Sequence, residues 1–334
     1  MRRIKMIFIE NNNLDPALNH AIELFVLDHY DDDIFMLWRN RPCILIGRYQ
    51  NVHLEVDLSY TEKKGLDVVR RMSGGGAIYC DEENMQYTFI TKQTSIENSF
   101  RKFASPVVNA LRSLNLDAEF TGRNDILLDG AKVSGNAQFH RNGKIVHHGT
   151  LLFKANAENL THALKVREVK FKGKAVQSVA SRIGFISSYV NMNVLEFKAY
   201  IEEFIKKEYG ISEVTRLQNA DMTECEKIKS EIFARREWNY GDGSARSLRH
   251  SDKYPCGLVE VSVEVKDGKI ADMSIEGDFF SELGVAPLCE MLKGVIPSVS
   301  ALQVALSSVP LDRYLQGMVK EVLINDIVKA SELV

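Results

Sequence analysis

Along the N-terminal half of the chain the apolar positions switch repeatedly between a spacing of two and a spacing near 3.6, so short strands and helices alternate. Ile4 to Ile9 reads as a strand. Asp15-Pro16 then supplies a helix N-cap with proline at the first helical position, and Leu18, Ala21, Ile22, Phe25 and Val26 fall on one face of the helix that follows. Further strands are predicted over Ile34–Trp38, Ile44–Ile46, Val68–Arg70, Ala77–Tyr79 and Tyr87–Thr91, and a helix through about Asn98–Leu114. Asp129-Gly130 and Asn142-Gly143 are hairpin-turn dipeptides, since Asn, Asp and Gly tolerate the positive φ that a tight turn demands. They bracket β-like segments at Lys132–Phe139 and Ile145–Phe153, which makes the centre a largely antiparallel sheet.

Beyond Val194 the pattern is helical to about Tyr209, with a second helical stretch near Asp221–Arg236. Gly241-Asp242-Gly243-Ser244 has linker chemistry. After it, Leu258–Val265 and Ile270–Ile275 flank Asp267-Gly268 as another hairpin, and Ser281–Lys293 and Leu311–Val328 read as helices. The fold class is α+β, divided into a larger domain over residues 1–243 and a small α+β domain over residues 244–334.

Composition narrows the class. A chain of 334 residues is longer than one core usually organises, which agrees with two domains. At 45% hydrophobic and 26% charged residues it is an ordinary globular composition, with no apolar run able to span a bilayer. The basic start Met1-Arg2-Arg3-Ile4-Lys5 leads into an apolar stretch that breaks at Glu10-Asn11-Asn12-Asn13, too short for a signal-peptide core, so a cytoplasmic location with no membrane partner is expected. Five cysteines, Cys43, Cys80, Cys225, Cys256 and Cys289, form no CxxC pair and read as reduced thiols. A net charge of −3 and a pI near 6.3 give no attraction for polyanions, so nucleic acid is not expected as a partner.

The densest chemical signal is Arg70-Arg71-Met72-Ser73-Gly74-Gly75-Gly76-Ala77-Ile78-Tyr79 between two predicted strands. Three glycines let backbone amides approach an anion, and the arginines supply charge-assisted bonds; the bland alternative is a flexible loop. Neither the P-loop spacing nor the GxGxxG order is present. A second cluster runs from Gly122-Arg123-Asn124-Asp125-Ile126 through Lys132-Val133-Ser134-Gly135-Asn136 to His147-His148-Gly149-Thr150. Lysine, asparagine and aspartate on adjacent strands could hold a phosphate and its Mg²⁺, which needs only one or two carboxylates. Against this, a strand lysine is commonly a solvated surface residue, and Asp125 could simply end a turn. Adjacent histidines on a strand point to opposite faces, so one of them lining a pocket is preferred to a zinc site.

In this order and spacing, RRMSGGGAIY, GRNDI, KVSGNAQF and HHGTLLF resemble the signatures of the lipoate-protein ligases. The resemblance continues through Gln177-Ser178-Val179-Ala180-Ser181-Arg182, similar to that family's adenylate-binding loop, through Trp238-Asn239-Tyr240-Gly241, and through Gly257–Glu264 with Gly277-Asp278-Phe279-Phe280, similar to its accessory domain. It implies a catalytic domain shared with biotin ligases and octanoyltransferases, ATP and Mg²⁺, (R)-lipoate as substrate, a lipoyl-AMP intermediate, and a lysine on a lipoyl-carrier protein as acceptor. Carried over by motif, Arg70, Arg71, Ser73, Gly74, Gly75, Gly76, Ala77, Tyr79, Gly135, Gly149 and Thr150 would surround the lipoyl and phosphate groups, with His148 lining the acyl pocket. Lys132 would be the catalytic cation between carboxylate and α-phosphate; Asn124 and Asp125 would sit by the phosphates, Asp125 as the metal ligand; Ser178, Val179, Ser181 and Arg182 would contact the nucleotide. The chain departs from the family at Cys80, where histidine is common, and at Glu23-Leu24, where paired glutamates are common; neither position is expected to do chemistry. A monomer is expected. The rivals are an ATP-independent octanoyl or lipoyl transferase, which would need a cysteine nucleophile, and a non-catalytic adenylate- or carrier-binding module; a biotin ligase fits the glycine loop less well.

Overall fold

The computed structural model describes residues 5–92, 99–122, 124–165, 183–241 and 249–332. Its strands are β1 (Met6–Glu10), β2 (Asp33–Trp38), β3 (Cys43–Ile46), β4 (Asp67–Arg70), β5 (Ile78–Cys80), β6 (Met85–Lys92), β7 (Ala118–Thr121), β8 (Asp125–Leu128), β9 (Ala131–Arg141), β10 (Lys144–Leu151), β11 (Val214–Thr215), β12 (Arg249–Tyr254), β13 (Gly257–Lys266) and β14 (Lys269–Gly277). The hairpins turn where the dipeptides place them. Asp129 and Gly130 take φ of 49° and 79°, Asn142 and Gly143 of 52° and 71°, and Asp267 and Gly268 of 52° and 72°. Two successive positive φ values match the right-handed twist of the flanking strands.

The main sheet runs β11-β1-β2-β6-β10-β9-β8-β7. From β2 to β7 every neighbour is antiparallel, whereas β1 pairs in parallel with both β2 and β11. The parallel pair follows from the helix Pro16–His29, which carries the chain back over the sheet before β2 begins. Asp15 caps that helix, its Oδ1 accepting from Ala17 N at 2.9 Å and Leu18 N at 3.1 Å. Alternation along the strands separates two cores. Ile7, Ile9, Ile34 and Met36 pack under this helix, while Phe8, Phe35 and Phe89 face the helices Ser99–Ser113 and Val194–Tyr209. A smaller sheet, β4-β3-β5, stands beside it and holds the glycine loop between β4 and β5.

The C-terminal unit is an antiparallel sheet, β12-β13-β14, covered by the helices Ala286–Leu292, Val299–Ala305 and Lys320–Glu332. Three expected helices are shorter than their periodicity suggests. The second helical stretch divides into Asn219–Ile228, a π-turn at Lys229–Phe233 and Arg236–Tyr240. The stretch from Ser281 becomes helical only at Ala286, and the one from Leu311 divides into Leu311–Tyr314 and Lys320–Glu332, with Gly317 at a φ of 80° inside the break. The boundary expected at residues 243 and 244 lies outside the described residues. The C-terminal unit contacts the glycine loop through the turn after β14. Gly277 N donates to Tyr49 O at 2.8 Å, Gly75 N to Phe279 O at 3.4 Å, and the Tyr49 and Phe279 rings stack with centroids 5.0 Å apart. A Cβ on Gly74 would fall 2.1 Å from Phe279 O, so only glycine admits this approach. Among the described residues no helix is long and apolar enough to cross a membrane.

Candidate active site

A cavity of about 150 Å³ opens between the main sheet and the glycine loop. One end is built by Asn124, Lys132, Gly135 and Asn136 on the β8–β9 hairpin, and the floor by His148, Gly149 and Thr150 on β10. The other end is formed by His20, Trp38, Leu45, Ile78 and Gln86, and the loop residues Arg71, Gly75, Gly76 and Ala77 close over it. Its two glycine positions on the sheet make the space. A Cβ on Gly149 would stand 2.5 Å from both Asn136 Oδ1 and Tyr87 Cζ, and one on Gly135 would stand 3.0 Å from Lys132 Nζ.

Lys132 Nζ lies 2.7 Å from Asp125 Oδ1, and their side chains are 38% and 34% exposed, so this pair is open to an incoming anion. Asn124 locks β8 to β9: its Nδ2 donates to Asn136 O at 2.6 Å and its own O accepts from Asn136 Nδ2 at 2.9 Å. Thr150 Oγ1 accepts from Gly135 N at 3.2 Å. Among the described residues no three His, Cys, Asp or Glu side chains gather around one point. A single carboxylate at the cavity mouth suits a Mg²⁺ ion that keeps most of its waters and shares phosphate oxygens, and does not suit zinc.

A buried hydrogen-bonded chain connects the glycine loop to the cavity floor. Arg71 Nη2 donates to Gly74 O and Gly76 O, each at 2.8 Å, which fixes the loop's course, and its Nε donates to Ser73 Oγ at 3.1 Å. Ser73 Oγ is 2.6 Å from His148 Nε2, and His148 Nδ1 is 2.9 Å from Glu23 Oε1. Nδ1–H donates to Glu23 whether the ring is neutral or protonated, and in the neutral ring Nε2 accepts from the serine hydroxyl. Thr88 Oγ1 donates to the same carboxylate oxygen at 2.8 Å. Burial alone would raise the Glu23 carboxyl, but the charge and hydrogen bond of His148, with His20 nearby, hold it well below the usual carboxylate range. Burial pushes the Arg71 guanidinium down to about 10, still a cation at neutral pH.

The other residues singled out by motif are placed differently. Arg70 faces away from the cavity. Its Nε donates to Trp238 O, Nη1 to Gly47 O and Gln50 O, and Nη2 to Asn239 O, so the guanidinium is spent on backbone carbonyls and clamps the Trp238-Asn239 segment; the expected contact with an acyl or phosphate group is not open to it in this arrangement. Tyr79 also lies outside the cavity, in the core beneath the short helices, with its hydroxyl accepting from Asn159 Nδ2 at 3.1 Å. Gly74 meets Phe279, and Ser73 reaches the cavity only through His148. Ser178, Val179, Ser181 and Arg182, with Arg123, lie outside the described residues. His147 points to the opposite face of β10, its Nδ1 accepting from Gln138 Nε2 at 2.8 Å and its Nε2 donating to Asn136 Oδ1 at 3.0 Å. Cys80 is fully buried, and its Sγ accepts from Gln86 Nε2 at 3.3 Å.

Sequence reasoning missed Glu23, His20 and Trp38. Glu23, at a position where the chain departs from the family, anchors the buried chain. The signal for His20 and Glu23 was an i, i+3 pair of ionisable residues on the buried face of an otherwise apolar helix. Burial lowers His20 and His147 below their ordinary value of 6.5. The unfolded chain therefore binds more protons than the folded one below pH 6.5, and stability must fall as pH drops through that region. The slope is about 1.4 kcal/mol per pH unit for each such histidine. Urea midpoints should be flat from pH 8 to 7 and fall between pH 6.5 and 5; a midpoint that rises on acidification to pH 5.5 contradicts the burial of these rings.

Comparison with known proteins follows the same outline. A family model described as the lipoyl protein ligase A/B catalytic domain matches residues 15–206, and one described as the bacterial lipoate protein ligase C-terminus matches residues 245–327. The chain is 38% identical to the lipoate-protein ligase LplJ of Bacillus subtilis over 95% of this chain and 98% of the relative. It is 37% identical to lipoate–protein ligase 1 of Staphylococcus aureus, over 92% and 96% of the two chains. Among solved structures it resembles P. falciparum LipL1 in complex with lipoate, with a TM-score of 0.78 and 22% identity over 97% of this chain and 98% of that one. It also resembles a lipoate-protein ligase A bound with ATP, with a TM-score of 0.61 and 22% identity over 71% and 98% of the chains. At such identities the structures speak for the fold, and the sequence relatives with the two family models speak for descent: the chain belongs to the lipoate-protein ligase family.

Proposed function

We propose that the chain is an ATP-dependent, AMP-forming lipoate-protein ligase that converts (R)-lipoate to lipoyl-AMP and passes the lipoyl group to a lysine of a lipoyl-carrier protein. The observation that carries this reading is the polarity of the cavity: Lys132 at its mouth, with apolar walls running from there toward Trp38 and Leu45. An acid with a long apolar tail fits that order, carboxylate to the lysine and tail inward. The relatives named as lipoate-protein ligases, the neighbour in complex with lipoate and the neighbour bound with ATP support the choice of substrates.

In the first step a carboxylate oxygen of lipoate bonds to the α-phosphorus of ATP and pyrophosphate leaves. Lys132, released from Asp125 as the anion enters, meets the negative charge that gathers on the carboxylate and the phosphoryl oxygens. Asp125 and Asn124 are the residues that would hold a Mg²⁺ ion, which when bound supplies further shielding of phosphate charge. Arg71 keeps the glycine loop in register through its two carbonyl bonds, and Gly75 and Gly76 let the loop backbone lie against the ligand. By the family resemblance, Ser178, Val179, Ser181 and Arg182 would contact the nucleotide. In the second step the neutral amine of the carrier lysine attacks the acyl carbon of the mixed anhydride, AMP leaves, and Lys132 faces the departing charge. Positioning dominates here, since proximity alone can lower a barrier by roughly 7–11 kcal/mol in favourable cases.

Residues 1–243 act as the catalytic domain and residues 244–334 as an accessory domain that closes the glycine loop through Phe279 and must give way to the carrier. The acceptor is a lipoyl domain of a 2-oxoacid dehydrogenase, a glycine-cleavage H protein or an H-like protein, and the enzyme works as a monomer in the cytoplasm. The transferase alternative needs an accessible thiolate; Cys80, fully buried and outside the cavity lining, argues against it. Lipoylation of a lipoyl domain, followed by intact mass, should require ATP and release one AMP per lipoyl group. Transfer from an acyl-carrier donor without ATP, abolished by Cys80→Ser, would establish the transferase instead.

A further inference from the structure

At the end of the cavity remote from Lys132, two buried polar side chains have no hydrogen-bond partner among the described residues. The His20 ring is 2% exposed, and neither of its nitrogens has a hydrogen-bond partner among the described residues. Nδ1 lies 3.8 Å from Glu23 Oε2, beyond hydrogen-bond reach, while His148 and Thr88 bond to Oε1 of the same carboxylate. The ring is held by packing alone, stacked on Phe233 with centroids 5.6 Å apart and edge-on to Trp38 at 5.1 Å. Trp38, 1% exposed, likewise leaves Nε1–H without a partner among the described residues. Both side chains line the cavity. An unpaired buried polar group is costly, and native interiors retain few of them. Two at one end of a ligand cavity point to a ligand that pairs with them.

Position in the cavity decides which part of the ligand that is. Trp38 is on β2 and Lys132 on β9, with β6 and β10 between them, and both line the one cavity, which therefore spans three strand spacings, about 14 Å across the sheet at ~4.8 Å per strand. A carboxylate held by the Lys132 ammonium at one end directs the tail of an eight-carbon acid toward the end where His20 and Trp38 lie. We propose that His20, with Trp38, is the specificity-determining residue for a sulfur-bearing acyl tail and selects it over a plain hydrocarbon of the same length. The inference rests on the ligase reading given above. A neutral imidazole has one N–H and one bare nitrogen. It can donate to a ring sulfur of the cyclic disulfide or accept from an S–H of the reduced dithiol, whereas a terminal methyl group can do neither and leaves both rings unpaired. The buried position keeps the imidazole neutral.

The test compares lipoate, dihydrolipoate and octanoate as substrates for pyrophosphate release, in the wild-type chain and in His20→Leu. The wild type should favour the two sulfur acids. His20→Leu should reduce the ratio of kcat/KM for lipoate over octanoate roughly tenfold, because the sulfur acids lose a partner while octanoate no longer strands a polar ring. Whichever sulfur acid falls further identifies the donor or the acceptor nitrogen as the one that faces the tail. An unchanged ratio in an active variant overturns the inference and leaves the ligase reading intact; no pyrophosphate release by the wild type with any of the acids overturns both. Should His20→Leu fail to fold, isotope-labelled histidine spectra of the wild-type chain decide, with the His20 signals assigned through His20→Gln. Lipoate must move the His20 ring signals and octanoate must not, and equal displacement by both acids overturns the inference.

Discussion

Lys132→Met slows both half-reactions by on the order of 10²–10³ and leaves the fold intact. Methionine has nearly the length of the lysine stem and no charge, so it removes the cation at the cavity mouth without removing its packing. The lysine is 38% exposed and its ion pair with Asp125 is half in solvent, so little stability rests on it. Its effect is on charge that appears during reaction: first on the attacking carboxylate and the α-phosphoryl oxygens, then on the departing AMP. The two steps are separable, adenylation by pyrophosphate release from lipoate and ATP, and transfer by reaction of synthetic lipoyl-AMP with a carrier. Loss of both is expected. Wild-type rates in both would return Lys132 to the role of a solvated strand residue, and loss of adenylation alone would confine it to the phosphate step. Cys225→Ser, in the packing between the helix Asn219–Ile228 and the first helix, should change neither rate.

Glu23→Ala costs stability on the scale of about 3–5 kcal/mol. The carboxylate is 1% exposed and takes hydrogen bonds from His148 and Thr88, so alanine leaves two buried donors and a void where water is excluded. Glu23→Gln, which keeps the shape and one acceptor oxygen, should cost about 1–2 kcal/mol. Guanidinium unfolding with a constant m-value measures both. The same variants should disturb the cavity floor, since His148 loses the partner that fixes its tautomer and, through Ser73, its tie to the glycine loop. A change below 0.5 kcal/mol for Glu23→Ala would mean that the Arg71–Ser73–His148–Glu23 chain does not hold the floor.

What could be read from the sequence was local. Asp129-Gly130, Asn142-Gly143 and Asp267-Gly268 declare their turns because the conformational demand falls on those residues alone. The Asp15-Pro16 cap is legible for the same reason. The parallel partner of β1 is not: β11 arrives from some 200 residues downstream, and a two-residue strand has no periodicity to betray it. The break in the helical stretch after Leu311 begins at the cap residue Leu315 and holds Gly317 at positive φ, while the apolar pattern continues through it unaltered. Within the candidate site, Arg70 and Arg71 look alike in sequence, but successive residues leave a strand on opposite faces, so one clamps the Trp238-Asn239 segment and the other holds the glycine loop. Glu23 and His20 were hidden by their setting. They lie on a helix whose apolar neighbours define its buried face, and only its docking against β2 and β10 brings them to His148 and Trp38.

The most direct test of the central claim leaves the carrier out. The purified chain, incubated with lipoate, ATP and Mg²⁺ and no acceptor, should release pyrophosphate in an amount close to that of the enzyme and retain lipoyl-AMP detectable by native mass spectrometry. Adding a lipoyl domain should then discharge the bound intermediate as AMP and modified carrier. Absence of both pyrophosphate and bound adenylate, in a chain that still acylates the carrier from another donor, would contradict the account.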